Sequence, residues 1–217
     1  MIRHHPDDSL LMAQAAGRLD GGSALVLATH AEGCEQCRER LRGFEVLGGA
    51  LLEQLEPTAM ADDALSRALA AIDAPETPPP HRPTPLRRAA PPEGRAWPRA
   101  MEGCAIGPWR WMAPGMRFSR VTLPWDQQAN VILLRIGAGK LLGRHTHSDS
   151  ELTQVLHGSF HDGRALFSAG DFDATDGSIL HQPAVEPGGE CVCLAAVSGR
   201  LVFESRVART FGSLIGI

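Results

Sequence analysis

Between residues 75 and 98 the chain carries nine of its sixteen prolines. Such a run cannot continue a helix or sit in a central strand, and it tends to stay extended. It reads as a linker between a first domain, residues 1–74, and a second, residues 99–217. The two pieces differ in charge. Residues 1–74 hold six Arg and twelve Asp or Glu, a net of −6, whereas residues 99–217 hold eleven of each sign. An acidic first piece is a poor match for nucleic acid, which needs clustered cations, but it suits a basic protein surface. With no apolar run long enough to span a membrane and no signal-peptide pattern at Met1–Asp8, the expected address is cytoplasmic.

The first domain has helical periodicity. Leu10, Leu11 and Ala15 follow the acidic Asp7-Asp8 start, and Ser23 is the expected cap of a second helix ending at His30. A third helix is expected from Glu35 to Leu55, with Leu41, Phe44, Leu47, Leu51 and Leu55 on one stripe. Asp62-Asp63 then open a fourth, carrying Leu65, Leu69 and Ile72. Four short helices make a thin core, which usually needs a staple. The second domain has short apolar runs (RFSRVTL, NVILLRI, ELTQVL, CVCLAAV and RLVFES) separated by Gly and Pro. That spacing predicts an all-β sandwich or barrel, so the chain as a whole is α+β in two domains.

Five cysteines without a signal peptide point to reduced thiols or metal ligands. His30-x3-Cys34-x2-Cys37 offers three donors at a helix junction, and tetrahedral zinc needs a fourth. His5 is the better candidate and His4 the other. A bare C-x-x-C is otherwise a redox pair, but that role belongs to a βαβ context absent here. In the second domain, Gly139-x5-His145-x-His147-x3-Glu151-x6-Gly158 stands out. His145 and His147 alternate on a strand and face one way. Glu151 lies further along that face or across a short turn. Three such ligands suit a first-row divalent metal. Cys191 and Cys193 also share a face; they are either packing thiols or a redox sensor, since a disulfide between them would be strained. Cys104 stands alone. His157 and His161 are expected to make hydrogen bonds at the surface or barrel mouth.

His5, His30, Cys34 and Cys37 resemble the zinc-binding anti-sigma domain that holds group IV (extracytoplasmic-function) sigma factors of bacterial RNA polymerase. That resemblance makes Leu65, Leu69 and Ile72 candidate partner surface, although a helix packed on its own bundle has the same pattern. The second motif resembles the first motif of the cupin superfamily, a jelly-roll (double-stranded β-helix) barrel. Gly170 and His181 fall on positions of the second cupin motif, while Asp176, Ser178 and Val185 replace its Pro, Gly and Asn. By resemblance the cupin ligands are His145, His147, Glu151 and His181, with zinc first and iron, manganese or nickel as alternatives. Together the halves are similar to the ChrR-type cupin anti-sigma factors. The family resemblance implies a regulator without catalytic residues, which releases its sigma factor on an oxidative, singlet-oxygen-like signal needing the cupin metal. The alternative is a metal-dependent cupin enzyme, a dioxygenase or related, tethered by its helical half.

Overall fold

In the computed structural model, described for residues 1–74, 89–92 and 94–203, four α-helices precede twelve strands. Helix α1 (Asp8–Ala15) is capped by Asp7, whose carboxylate accepts from the Leu10 N–H. Helix α2 (Gly21–Gly33) starts earlier than expected. Asp20, not Ser23, is its cap: the carboxylate accepts from the Ser23 N–H at 2.9 Å and from the Ser23 hydroxyl at 2.6 Å. An ionised acceptor at a helix N-terminus also meets the positive end of the dipole, which favours Asp20. Cys34 breaks the chain direction between α2 and α3 (Glu35–Glu53) with an extended conformation, and α4 (Ala64–Asp73) follows.

The second half is built of β1 (Ala105–Ile106), β2 (Arg110–Ala113), β3 (Met116–Thr122), β4 (Val131–Ile136), β5 (His145–His147) and β6 (Ser150–His157). It continues with β7 (Ser159–His161), β8 (Leu166–Ser168), β9 (Phe172–Asp176), β10 (Ala184–Val185), β11 (Cys191–Val197) and β12 (Leu201–Phe203). An antiparallel sheet runs β1-β3-β4-β11-β6-β9, with β2 on β3. Strands β10, β7 and β8 form a second sheet, and β5 pairs with β12. This is the expected cupin barrel. Of the run RLVFES, residues 204 and 205 lie outside the described residues.

The large sheet is covered on both faces, which is why β11 reads as the continuous apolar run CVCLAAV rather than as an alternation. Leu194 and Ala196 of β11, with Val131, Leu133 and Leu152, face Leu25 and Val26 of α2. Cys191 and Cys193, with Ile136 and Val155, face the barrel interior against Phe160 and Phe167. Helix α2 sits close: a Cβ added to Gly22 would lie 2.9 Å from the Val131 side chain. The first helices have a separate small core of Leu11, Leu27, Cys34 and Cys37.

Of the run expected as linker, residues 75–88 and 93 lie outside the described residues. From Ala89 the chain lies along the barrel. The Ala89 N–H donates to the Gly107 carbonyl at 2.8 Å, and the indoles of Trp97 and Trp109 donate to the carbonyls of Ala89 and Ala90.

Gly158 makes the β6–β7 turn at φ +70°, and an added Cβ would sit 2.1 Å from the Glu190 carbonyl oxygen. Backbone cannot yield that much, and the left-handed conformation adds its own cost. Gly158→Ala is therefore expected to destabilise the barrel by at least about 3 kcal/mol. A denaturant midpoint unchanged from wild type would contradict this.

Candidate metal centres

The first centre forms where three pieces of chain meet. His30 is in the last turn of α2, and Cys34 and Cys37 flank the α2–α3 junction. His5 arrives on an extended N-terminal strap ahead of α1. One donor atom from each lies within 4.8 Å of every other. His30 Nε2 is 3.3 Å from Cys37 Sγ, and His5 Nδ1 is 3.4 and 3.3 Å from the sulfurs of Cys34 and Cys37. A tetrahedron with zinc-like bond lengths has N···S edges of about 3.5 Å, so the four donors fit such an ion. His4 is not part of this group. Its Nε2 meets the Leu166 carbonyl at 3.2 Å and its ring lies against Phe167.

The strap and His30 are both held by the barrel. Asp171 accepts from the backbone N–H groups of Arg3 at 2.6 Å and His4 at 3.1 Å, and the Phe172 N–H donates to the His4 carbonyl. Burial works against the Asp171 charge, but these N–H donors with that of Ser168 hold its carboxyl below the usual range. His30 donates Nδ1–H to Gln154 Oε1 at 2.9 Å. Nothing in the sequence marked Gln154 or Asp171. Gln154 on its strand face reads as solvent-facing and Asp171 as a turn residue, and their partners lie more than a hundred residues away.

The second centre is inside the barrel. A two-way backbone bridge sets His145 directly opposite His181, at 3.1 and 3.0 Å, while strand alternation brings His147 to the same side. His181 Nε2 then lies 3.1 Å from His145 Nε2 and 3.3 Å from His147 Nε2. Three nitrogens around one metal at about 2.1 Å stand roughly this far apart. The His145 Nδ1–H donates to the Gly143 carbonyl at 2.7 Å, which leaves its Nε2 as the lone-pair nitrogen. Burial, together with the neighbouring imidazoles, brings His147 and His181 down to about 4, so both are neutral and able to ligate at pH 7.

Glu151 stands at the edge of this triangle, not among its converging donors. Its Oε2 is 3.4 Å from Nδ1 of His147, and its Oε1 accepts from the Thr153 hydroxyl. Burial pushes its carboxyl up to about 7. Nδ1 of His181 faces Asp162 at 3.7 Å. Asp162 and Asp173 are both bridged by Arg164, so these carboxylates already have their counter-charge. The turn before His181 is made by Asp176, which accepts from both the N–H and the hydroxyl of Ser178. This is the local substitute for the Pro and Gly of the usual cupin turn.

Cys191 and Cys193 are buried with their sulfurs 3.6 Å apart. The hydrogen bond with Cys191, and then burial, pushes the Cys193 thiol well up, and a protonated thiol is a poor nucleophile. Cys104 is buried as well. His161 accepts from the Gly163 N–H, as a barrel-rim residue would, whereas the buried Nδ1 of His157 has no hydrogen-bond partner.

Residues 101–199 match the family model described as the ChrR cupin-like domain. The anti-sigma-E factor ChrR of Cereibacter sphaeroides is 38% identical over 204 residues, covering 94% of this chain and 93% of the relative. The crystal structure of Rhodobacter sphaeroides SigE in complex with the anti-sigma ChrR matches with a TM-score of 0.73 at 34% identity. That match covers 91% of this chain and all of the matched one.

The two centres differ in proton chemistry. Burial, and then Cys34 beside it, pushes the Cys37 thiol up to about 12, so a metal must displace its proton. Apparent zinc affinity at the thiol centre should rise at least about tenfold per pH unit between about pH 6 and 8. The imidazoles at about 4 release no proton there, and Glu151 at about 7 releases one only toward the acid end, so affinity at the barrel centre should rise less and level off toward pH 8. Chelator competition on Cys37→Ser and His181→Ala variants isolates each centre; equal slopes would refute the assignment.

Proposed function

The chain belongs to the ChrR family of anti-sigma factors, and from that premise we propose that it binds and inhibits a group IV (extracytoplasmic-function) sigma factor. The helical half, residues 1–74, is the binding half and the barrel, residues 99–217, receives the signal. The observation that carries this reading is an apolar surface with nothing on it. No residue of α4 is buried; Leu65 is 71% exposed and Ile72 78% exposed, and Leu69 lies between them. Leu47, Leu51 and Leu52 of α3 are exposed too. Such a face is stable against a partner, not against water. It weighs against the alternative that α4 packs on its own bundle. The net charge of residues 1–74, −6, favours basic polymerase- and DNA-facing surfaces of a sigma factor.

Two imidazoles and two thiols select zinc in the first centre, where the metal would join the strap, α2 and α3. In the barrel His145, His147 and His181 hold a divalent metal, zinc by preference, with Glu151 as the anionic donor: a buried carboxylate gains most from a cation. An oxidant signal at the barrel then releases the sigma factor. Cys191 and Cys193 serve as packing thiols in this reading, because burial and protonation leave them unreactive at rest. A cytoplasmic address follows from the partner. No helix among the described residues is long and apolar enough to cross a membrane. The relatives that match along both halves are regulators, which favours this reading over a cupin enzyme.

The test is co-expression with a group IV sigma factor encoded beside this chain, followed by co-purification and transcription in vitro. Wild type should form a stable complex and block transcription, and Cys34→Ala should do neither. The double variant Leu69→Glu, Ile72→Glu should bind about 100-fold more weakly, at roughly 1.4 kcal/mol for each truncated contact, with an unchanged melting temperature. Full inhibition by the double variant would sink the assigned surface. Failure of wild type to bind any such sigma factor would sink the function.

A further inference from the structure

We infer that Gln154 is a positioning residue through which the barrel sets the first metal centre, so that one strand, β6, touches both centres. The inference rests on reading that centre as a zinc staple. Gln154 is 4% exposed, and its amide has only two places to go. Its Nε2 donates to the Val155 carbonyl at 3.1 Å, and its Oε1 faces His30 Nδ1 at 2.9 Å. A carbonyl cannot donate, so the NH₂ end is fixed toward Val155 and the oxygen end toward His30. That oxygen can only accept, so the His30 proton must reside on Nδ1. His30 Nε2 is left as a lone pair aimed at the cluster, 3.3 Å from Cys37 Sγ. The tautomer and ring direction of this imidazole in the helical half are thus set from the barrel, by the Gln154 side chain together with the Gly170 backbone, which also hydrogen-bonds His30.

The same strand reaches the other centre. Three residues earlier, Glu151 points to the opposite face of the sheet and lies 3.4 Å from His147. About 10 Å of one rigid strand therefore separates the two contacts. The second imidazole of the staple is tied to the same place. Asp171 holds the strap that delivers His5, and its carbonyl accepts from the Val155 N–H at 3.0 Å. The Gly170 N–H in turn donates to the Val155 carbonyl, the one that orients the Gln154 amide. Both histidines of the staple accordingly depend on β6 and its neighbour, while both thiols belong to the helices. A shift of β6 at Glu151 would change the fit of the imidazoles without involving the segment that joins the halves.

Cobalt(II) substitution of the full-length protein tests this, because thiolate-to-cobalt charge-transfer bands arise only from the first centre. Gln154→Leu fills the buried space but cannot accept from His30, and should lower cobalt affinity at the thiolate centre about 10- to 100-fold. Gln154→Glu retains an acceptor and should stay within a few-fold of wild type. A merely structural role predicts the reverse order, since Leu suits a buried site and Glu does not. With Gln154 in place, emptying the barrel centre by His145→Ala should also change the thiolate-centre affinity, and in the Gln154→Leu background the change should be smaller, since only the His5 route remains. Leucine binding as tightly as wild type, or the reverse order of the two variants, overturns the inference and leaves the staple intact. Absence of thiolate bands in wild type overturns the staple itself, and the inference with it.

Discussion

Helix α2 lies on the outer face of β6 and β11, and the arrangement of the molecule depends on that contact. The helical half alone has few buried apolar groups: Leu11 and Leu27, with Cys34 and Cys37, make its whole fully buried cluster. Leu25 and Val26 of α2 go instead to the barrel, where burying both contributes roughly 3–6 kcal/mol. The helix is consequently covered nearly all round, with eight of its residues buried, and it serves two cores at once. Without that docking the strap carrying His5 and the ring of His30 would lose the surfaces that orient them.

The two candidate metal centres are assembled on different principles. In the barrel, His145 and His147 come from a strand and His181 from a backbone bridge opposite it, so the geometry of the candidate ligands is set by backbone. In the helical half, the thiols come from one helix junction, but the imidazoles are brought in by long-range contacts and are only as well placed as the barrel makes them. A rigid site and a dependent one therefore sit on opposite faces of the same sheet.

Much of this was legible in the sequence because it rests on local rules. Helices α1 and α4 follow acidic residues, strands fall on the short apolar runs, and the His/Cys and His-x-His spacings picked out donors that the fold brings together. The departures have physical causes. Asp20 outcompeted Ser23 as a cap because a carboxylate is the stronger acceptor for helix N–H groups. The apolar stripe on α4 is the same whether the partner is intramolecular or not, so only its exposure distinguishes them. Gln154 was invisible because a buried inter-domain amide and a solvated one look identical in a strand.

The contacts of the strap and α2 with the barrel have a topological consequence. The first domain is fastened to the second through residues before 34, and the second begins its own packing at Ala89, so covalent continuity between α4 and Ala89 is not what keeps the halves together. A single peptide-bond cut in residues 75–88 would leave two fragments that still behave as one particle. Chain scission there, by itself, amounts to a nick and not a separation; parting the halves requires peeling α2 and the N-terminal strap off the sheet.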